Sequence, residues 1–145
     1  VYIIRYLVKR LRDRGEDVDG LEELGQWIET ETEYGGVIPD VFFSGKQDEV
    51  YEVETLFSGG QEPTKKIDRT INKYDEHNVD IDKIHIVLEN FTFLRHLDEL
   101  SNIRHHYAHR KNEEGEPLIE FETLDFRNDG LLSLNTAIDD VQKLG

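Results

Sequence analysis

Ile84-His85-Ile86-Val87-Leu88 leaves few folds open to this chain. Five residues are too few for a core helix, and a strand apolar at nearly every position must be covered on both faces. Such a strand lies inside a sheet flanked by helices and reaches a parallel neighbour through a crossover. The sequence upstream supplies both parts. Val50 to Phe57 reads as a strand broken by Gly59-Gly60, and Pro63 opens a helix carrying Ile67, Ile71 and Tyr74 on one stripe and ending near His77. Strand, helix and strand in this order place the chain in the α/β class with a mixed sheet.

The remaining segments fill out that plan. Ile4, Leu7, Val8 and Leu11 recur at helical spacing until Gly15, which predicts a helix over about residues 2 to 14. Leu21, Leu24, Trp27 and Ile28 suggest a short helical segment, with Trp27 in the core. Thr30, Thr32 and Tyr34 then alternate with acids, Gly35-Gly36 marks a turn, and Val37 to Phe43 reads as the next strand. Ser44 to Asp48 is a second turn signal. Beyond Leu88, Thr92 is the expected cap of a helix carrying Leu94, Leu97, Leu100, Ile103 and Tyr107, stopped by Gly115 and Pro117. Leu118 to Phe126 is expected as a strand, and Leu131, Leu134, Ile138, Val141 and Leu144 as a last amphipathic helix.

With 145 residues, one domain spanning 1–145 is the expectation. The absence of any Met points to a fragment of a longer chain. No apolar stretch approaches the ~20 residues of a membrane span, and Val1-Tyr2-Ile3-Ile4 lacks a signal-peptide layout, so a soluble cytoplasmic protein without membrane contact is expected. Zero cysteines exclude a disulfide framework, a thiolate metal site and a cysteine nucleophile. Seventeen Lys and Arg against 32 Asp and Glu give a net charge of −15, which removes a generic basic nucleic-acid surface. The acids are spread through every segment, a pattern that resembles proteins of halophilic archaea. In molar salt the Debye length is ~3 Å, and such a charge is tolerated and solubilising.

The carboxylates with chemical promise lie on two successive strands. Asp40 follows Pro39 in the second strand, and Glu52 and Glu54 share one face of the third, ~6.6 Å apart along it. Val50 and Leu56 flank them, so they are expected to be partly buried. Buried acids cost free energy unless something offsets their charge, and a divalent cation does so. Mg²⁺ or Mn²⁺ held by Asp40, Glu52 and Glu54 would lower the pKa of a bound water and neutralise charge on a phosphodiester.

Pro39-Asp40, then Glu52-Val53-Glu54 after eleven intervening residues, set among a helix, three strands, a helix and a strand, resembles the PD-(D/E)XK nuclease superfamily over roughly residues 1 to 90. The resemblance implies a restriction endonuclease-like fold: a three-strand meander and a crossover strand flanked by helices. It implies a metal-dependent DNA endonuclease of repair, restriction or defence, with Asp40 and Glu52 as metal ligands. The family's lysine falls where this chain has Glu54, which would act as a further ligand or a base. A relocated basic residue would come from Lys46, Lys65, Lys66 or Arg69, and a further acid from Glu22 or Glu23. The alternative is an inactive nuclease-fold domain that binds nucleic acid or a protein partner; a structural module without metal is the third reading. A homodimer or further domains of a longer chain are the other expected partners.

Other motifs carry less. By composition, an acid pair at i and i+2 arises at roughly one start position in twenty. Glu120-Phe121-Glu122 is such a pair, read as decoration of a solvated face. His105 and His109 stand one helical turn apart, a zinc-compatible spacing, but the structural reading is favoured: they lie with Arg104, Arg110 and Lys111 at the negative end of a helix dipole. That cluster is read as the one dense cationic segment of the chain.

Overall fold

The computed structural model describes residues 2–45, 47–54, 63–88, 97–125, 130–137 and 139. The elements run α1 (Tyr2–Asp13), α2 (Leu21–Gly25), β1 (Ile28–Thr30), β2 (Val41–Ser44), β3 (Asp48–Glu54), α3 (Pro63–Glu76), β4 (Lys83–Leu88), α4 (Leu97–Tyr107), β5 (Ile119–Asp125) and β6 (Gly130–Ser133), followed by helical residues at 134–137. The six strands form one mixed sheet in sequence order. β1, β2 and β3 are an antiparallel meander, β3, β4 and β5 run parallel, and β6 returns antiparallel to β5. No described helix is long and apolar enough to cross a membrane.

Alternation along the strands divides the core into two layers. Val50, Ile84, Ile86, Leu88, Ile119 and Phe121 pack against Ile67, Ile71 and Tyr74 of α3 and Leu100, Ile103 and Tyr107 of α4. Tyr51 and Val87 point the other way, with Phe43 and Val41, and meet Ile3, Leu7 and Leu11 of α1. Leu7 and Leu11 are fully buried, and each such side chain contributes about 1.5–3 kcal/mol of transfer free energy before entropy is counted. β4 is covered on both faces, as its apolar run requires.

The structure departs from the sequence expectations at four places. Both strands of the first hairpin are shorter than their alternation suggests. Gly35 and Gly36, at φ +59° and +95°, make the tight turn, but only Tyr34 and Val37 bridge across it. Glu31 at φ +53° ends β1, and Pro39, with no N–H to donate, delays β2 until Val41. Trp27 follows α2 rather than continuing it, and is half-buried against the α1 layer.

The helix of α4 stops at Tyr107, well before Gly115. There the Asn112 side-chain oxygen accepts the backbone N–H groups of Glu114 and Glu116, and Lys111 bridges to Pro117, so the chain already forms a closed turn. Residues 130–133, expected in a helix, are a strand instead, because the edge of β5 offers them a ladder: Leu131 pairs with Leu124 and Ser133 with Glu122. Helix begins only where Ser133 Oγ accepts the Thr136 N–H at 3.3 Å. The positions Leu56, Phe57, Gly59, Gly60, Thr92, Leu94, Phe126, Ile138, Val141 and Leu144, for which the sequence sets expectations, lie outside the described residues.

Candidate active site

β2 begins at Val41, opposite Tyr51, so the last residues of β3 extend past their antiparallel partner. The Val53 N–H would lack a partner there, and Asp40 Oδ2 accepts it at 2.8 Å. Asp40 is exposed and is thereby fixed beside Glu52 at the open end of the β2–β3 pair.

Glu52 and Glu54 project from β3 toward α3, which runs back along the strand. Lys66, Thr70 and Tyr74 recur on α3 at i, i+4 and i+8 and so share one side of the helix. The Tyr74 hydroxyl donates to Glu52 Oε1 at 2.5 Å. The Thr70 hydroxyl donates to Glu54 Oε1, and Lys66 Nζ stands 3.7 Å from Glu54 Oε2. Glu54 is buried and Glu52 half-buried.

The two glutamates differ in how their charge is offset. Burial pushes the Glu52 carboxyl up to about 7; Asp40 and Glu54 push in the same direction, while the Tyr74 hydrogen bond and Lys73 only partly oppose them. Near neutral pH this carboxyl is poised between its two forms. Glu54 has the Lys66 ammonium and the Thr70 hydroxyl beside it.

Comparison with protein-family models, curated proteins and solved structures finds no match to this chain. Assignment of the site therefore rests on its own geometry.

Among the described residues, no three His, Cys, Asp or Glu side chains are arranged to hold a metal ion. Glu54 is turned to Thr70 and Lys66, so the three carboxylates do not form a cage. Asp40 and Glu52 fit a cation that takes two carboxylates and completes its shell with water. Of the basic residues considered, Lys66 reaches the carboxylates, Lys65 and Arg69 are exposed, and Lys46 lies outside the described residues. Glu22 and Glu23 stand on α2, and no hydrogen bond or ion pair joins them to Asp40 or Glu52. Tyr74 and Thr70 were not singled out as site residues. Tyr74 reads equally well as part of the apolar stripe, and its hydroxyl gains meaning only once α3 is docked on β3.

A second cluster, also not anticipated, lies on the opposite face of β3. His85 is buried in the middle of β4, with Nε2 2.7 Å from Glu49 Oε1 and Nδ1 bonded to Glu122. Its ring stacks on Tyr51 with centroids 4.1 Å apart, and the Tyr51 hydroxyl accepts from Arg10 at 3.3 Å. Glu122 is therefore a structural residue rather than solvated decoration, whereas Glu120 pairs with Lys83 at 3.6 Å. The histidine inside an otherwise apolar strand was the available signal.

α4 ends before His109, and His105 and His109 are both exposed. Arg110, bonded to both Asp75 carboxylate oxygens, takes no part in a histidine site.

Proposed function

We propose that this chain is a metal-dependent nuclease domain of the restriction endonuclease-like type that hydrolyses DNA phosphodiesters. The observation that carries this reading is the placing of Asp40, one residue before β2, beside Glu52 of β3, with the Lys66 amino group delivered from α3 to Glu54. The order of α1, an antiparallel β1–β2–β3 meander, α3 and a parallel β4 supports it, because this is the order that the resemblance implies.

Asp40 and Glu52 would hold Mg²⁺ or Mn²⁺, which supplies Lewis acidity and an acidified water. Tyr74 fixes the Glu52 carboxylate, and the Val53 N–H fixes Asp40, so both acids are oriented before any cation binds. Lys66 replaces in space the lysine that Glu54 displaces in sequence, and its charge would stabilise the developing negative charge on phosphate. Glu54 positions Lys66.

The test is cleavage of plasmid DNA with Mn²⁺ by wild type, Asp40→Asn and Lys66→Ala. Both variants should lose cleavage by at least about 10²-fold, as expected when a group acting on transition-state charge is removed. Full activity in Asp40→Asn would reject the assignment. A second reading, an inactive nuclease fold, is favoured by one observation: each carboxylate already has a protein donor. It predicts no cation binding at all.

A further inference from the structure

The net charge of −15 conceals a strongly basic helix. Residues 5–14 hold Arg5, Lys9, Arg10, Arg12 and Arg14, five of the 17 Lys and Arg in the chain, against one acid, Asp13. This is denser than the segment around Arg104 to Lys111, which holds Arg104, Arg110 and Lys111. The fold separates these cations by role. Arg10 turns inward to the Tyr51 hydroxyl and over the Phe43 ring. Arg5, Lys9 and Arg12, at i, i+4 and i+7, form one exposed row along the outer side of α1. They border a shallow groove of about 320 Å³ floored by half-buried Ile4 and Val8. Among them, with the described residues as partners, only Arg12 has an ion pair, with Asp19 at 3.7 Å; both partners are exposed, and a pair of that kind holds its arginine weakly.

We propose that the Arg5–Lys9–Arg12 row of α1 is the surface on which this acidic protein holds the phosphate backbone of a nucleic acid. The proposal deepens the nuclease reading and rests on it for the choice of partner. Charge complementarity selects a polyanion, since elsewhere the surface is dominated by carboxylates that repel phosphate. The form of the row selects a linear one: successive cations rise ~6 Å and ~4.5 Å along the helix axis, and two of the three are arginines, whose forks match phosphate oxygens. An anionic membrane is disfavoured because the outer side of α1 presents no exposed large apolar side chain to insert. A second copy is disfavoured because its own acids are scattered rather than aligned.

The experiment is fluorescence anisotropy of a labelled DNA duplex titrated with the intact chain in EDTA across a KCl series, so that no cleavage step enters. Arg5→Ala/Lys9→Ala/Arg12→Ala, all at exposed positions, should weaken binding and lower the slope of log Kd against log [KCl] by about 2.7, that is, 0.9 for each of three phosphate contacts. Arg5→Lys/Arg12→Lys should keep most of that slope. The triple variant should bind Mn²⁺ as wild type does, which separates this proposal from the metal site: absence of Mn²⁺ binding in a wild type whose DNA binding still depends on the row breaks the nuclease reading alone. An unchanged slope in a folded triple variant would overturn the proposal. So would binding of phosphatidylserine vesicles, or self-association, that depends on the row while DNA binding does not.

Discussion

The two faces of β3 carry carboxylates in opposite states. On the α1 side, Glu49 is buried, yet its carboxyl is held below the ordinary range, because His85 donates to it and outweighs the cost of burial. On the α3 side, Glu52 is pushed up to about 7, because burial and two neighbouring acids outweigh one phenol and Lys73. Same strand, same residue type, three positions apart. The difference is the partner: on one side a histidine whose charged form the two glutamates favour, on the other a neutral hydroxyl. A buried acid with a matched cation is architecture, and one left short of positive charge is where a metal ion would be favoured.

Breaking the compensated side should have the largest effect. His85→Phe keeps a ring against Tyr51 but leaves buried Glu49 and half-buried Glu122 without their partner, and should cost about 3 kcal/mol. Adding Glu49→Gln and Glu122→Gln should recover much of it. Urea unfolding checks both, and a His85→Phe protein as stable as wild type would remove the contrast between the faces.

The opposite result is expected across the strand. Glu52→Gln still accepts from Tyr74 but no longer forces a charge into the site, so the protein without metal should gain stability at pH 8, by about 2 kcal/mol or less once residual solvent screening is counted. The sign follows from linkage: a carboxyl raised in the folded state binds more protons there, so stability falls as pH climbs from the ordinary glutamate value toward 7. Thermal melts of wild type and variant at pH 5 and 8 should converge at the acid end.

His85 sharpens the comparison through pH. Desolvation works against its charge, but its hydrogen bonds to Glu122 and Glu49 prevail and its pKa is raised. Its contribution is complete below the ordinary histidine value of about 6.5 and is lost as pH rises through the raised folded value. Wild-type Tm should therefore fall as pH rises above the ordinary histidine value, with that fall absent in His85→Phe. The smallest effect is expected at His105→Ala/His109→Ala: within about 0.5 kcal/mol, with no zinc retained after chelation.

Much of this arrangement was legible from residue order. α1, α3 and β4 follow directly from spacing, because their apolar stripes match the periods of helix and buried strand. Asp40, Glu52 and Glu54 were legible as one neighbourhood, since two successive strands must bring them close. Which of the three meet was not. That depends on β2 starting one residue after Asp40 and on α3 docking so that Lys66 and Thr70 claim Glu54. β6 was misread because Leu131 and Leu134 fit a helical stripe as well as a strand, and only the free edge of β5 decides between them. The His85 clamp was out of reach for the same reason: its three members lie on three strands, and register alone aligns them.

The central proposal is that Asp40 and the uncompensated Glu52 of β3 form a cation site. Calorimetric titration of Mn²⁺ into wild type, Asp40→Ala, Glu52→Ala and Glu49→Gln tests it most directly. The account predicts saturable binding of one ion, lost in Asp40→Ala and Glu52→Ala and kept in Glu49→Gln. No saturable heat up to millimolar Mn²⁺, with or without DNA, or binding that survives in Glu52→Ala, would contradict it.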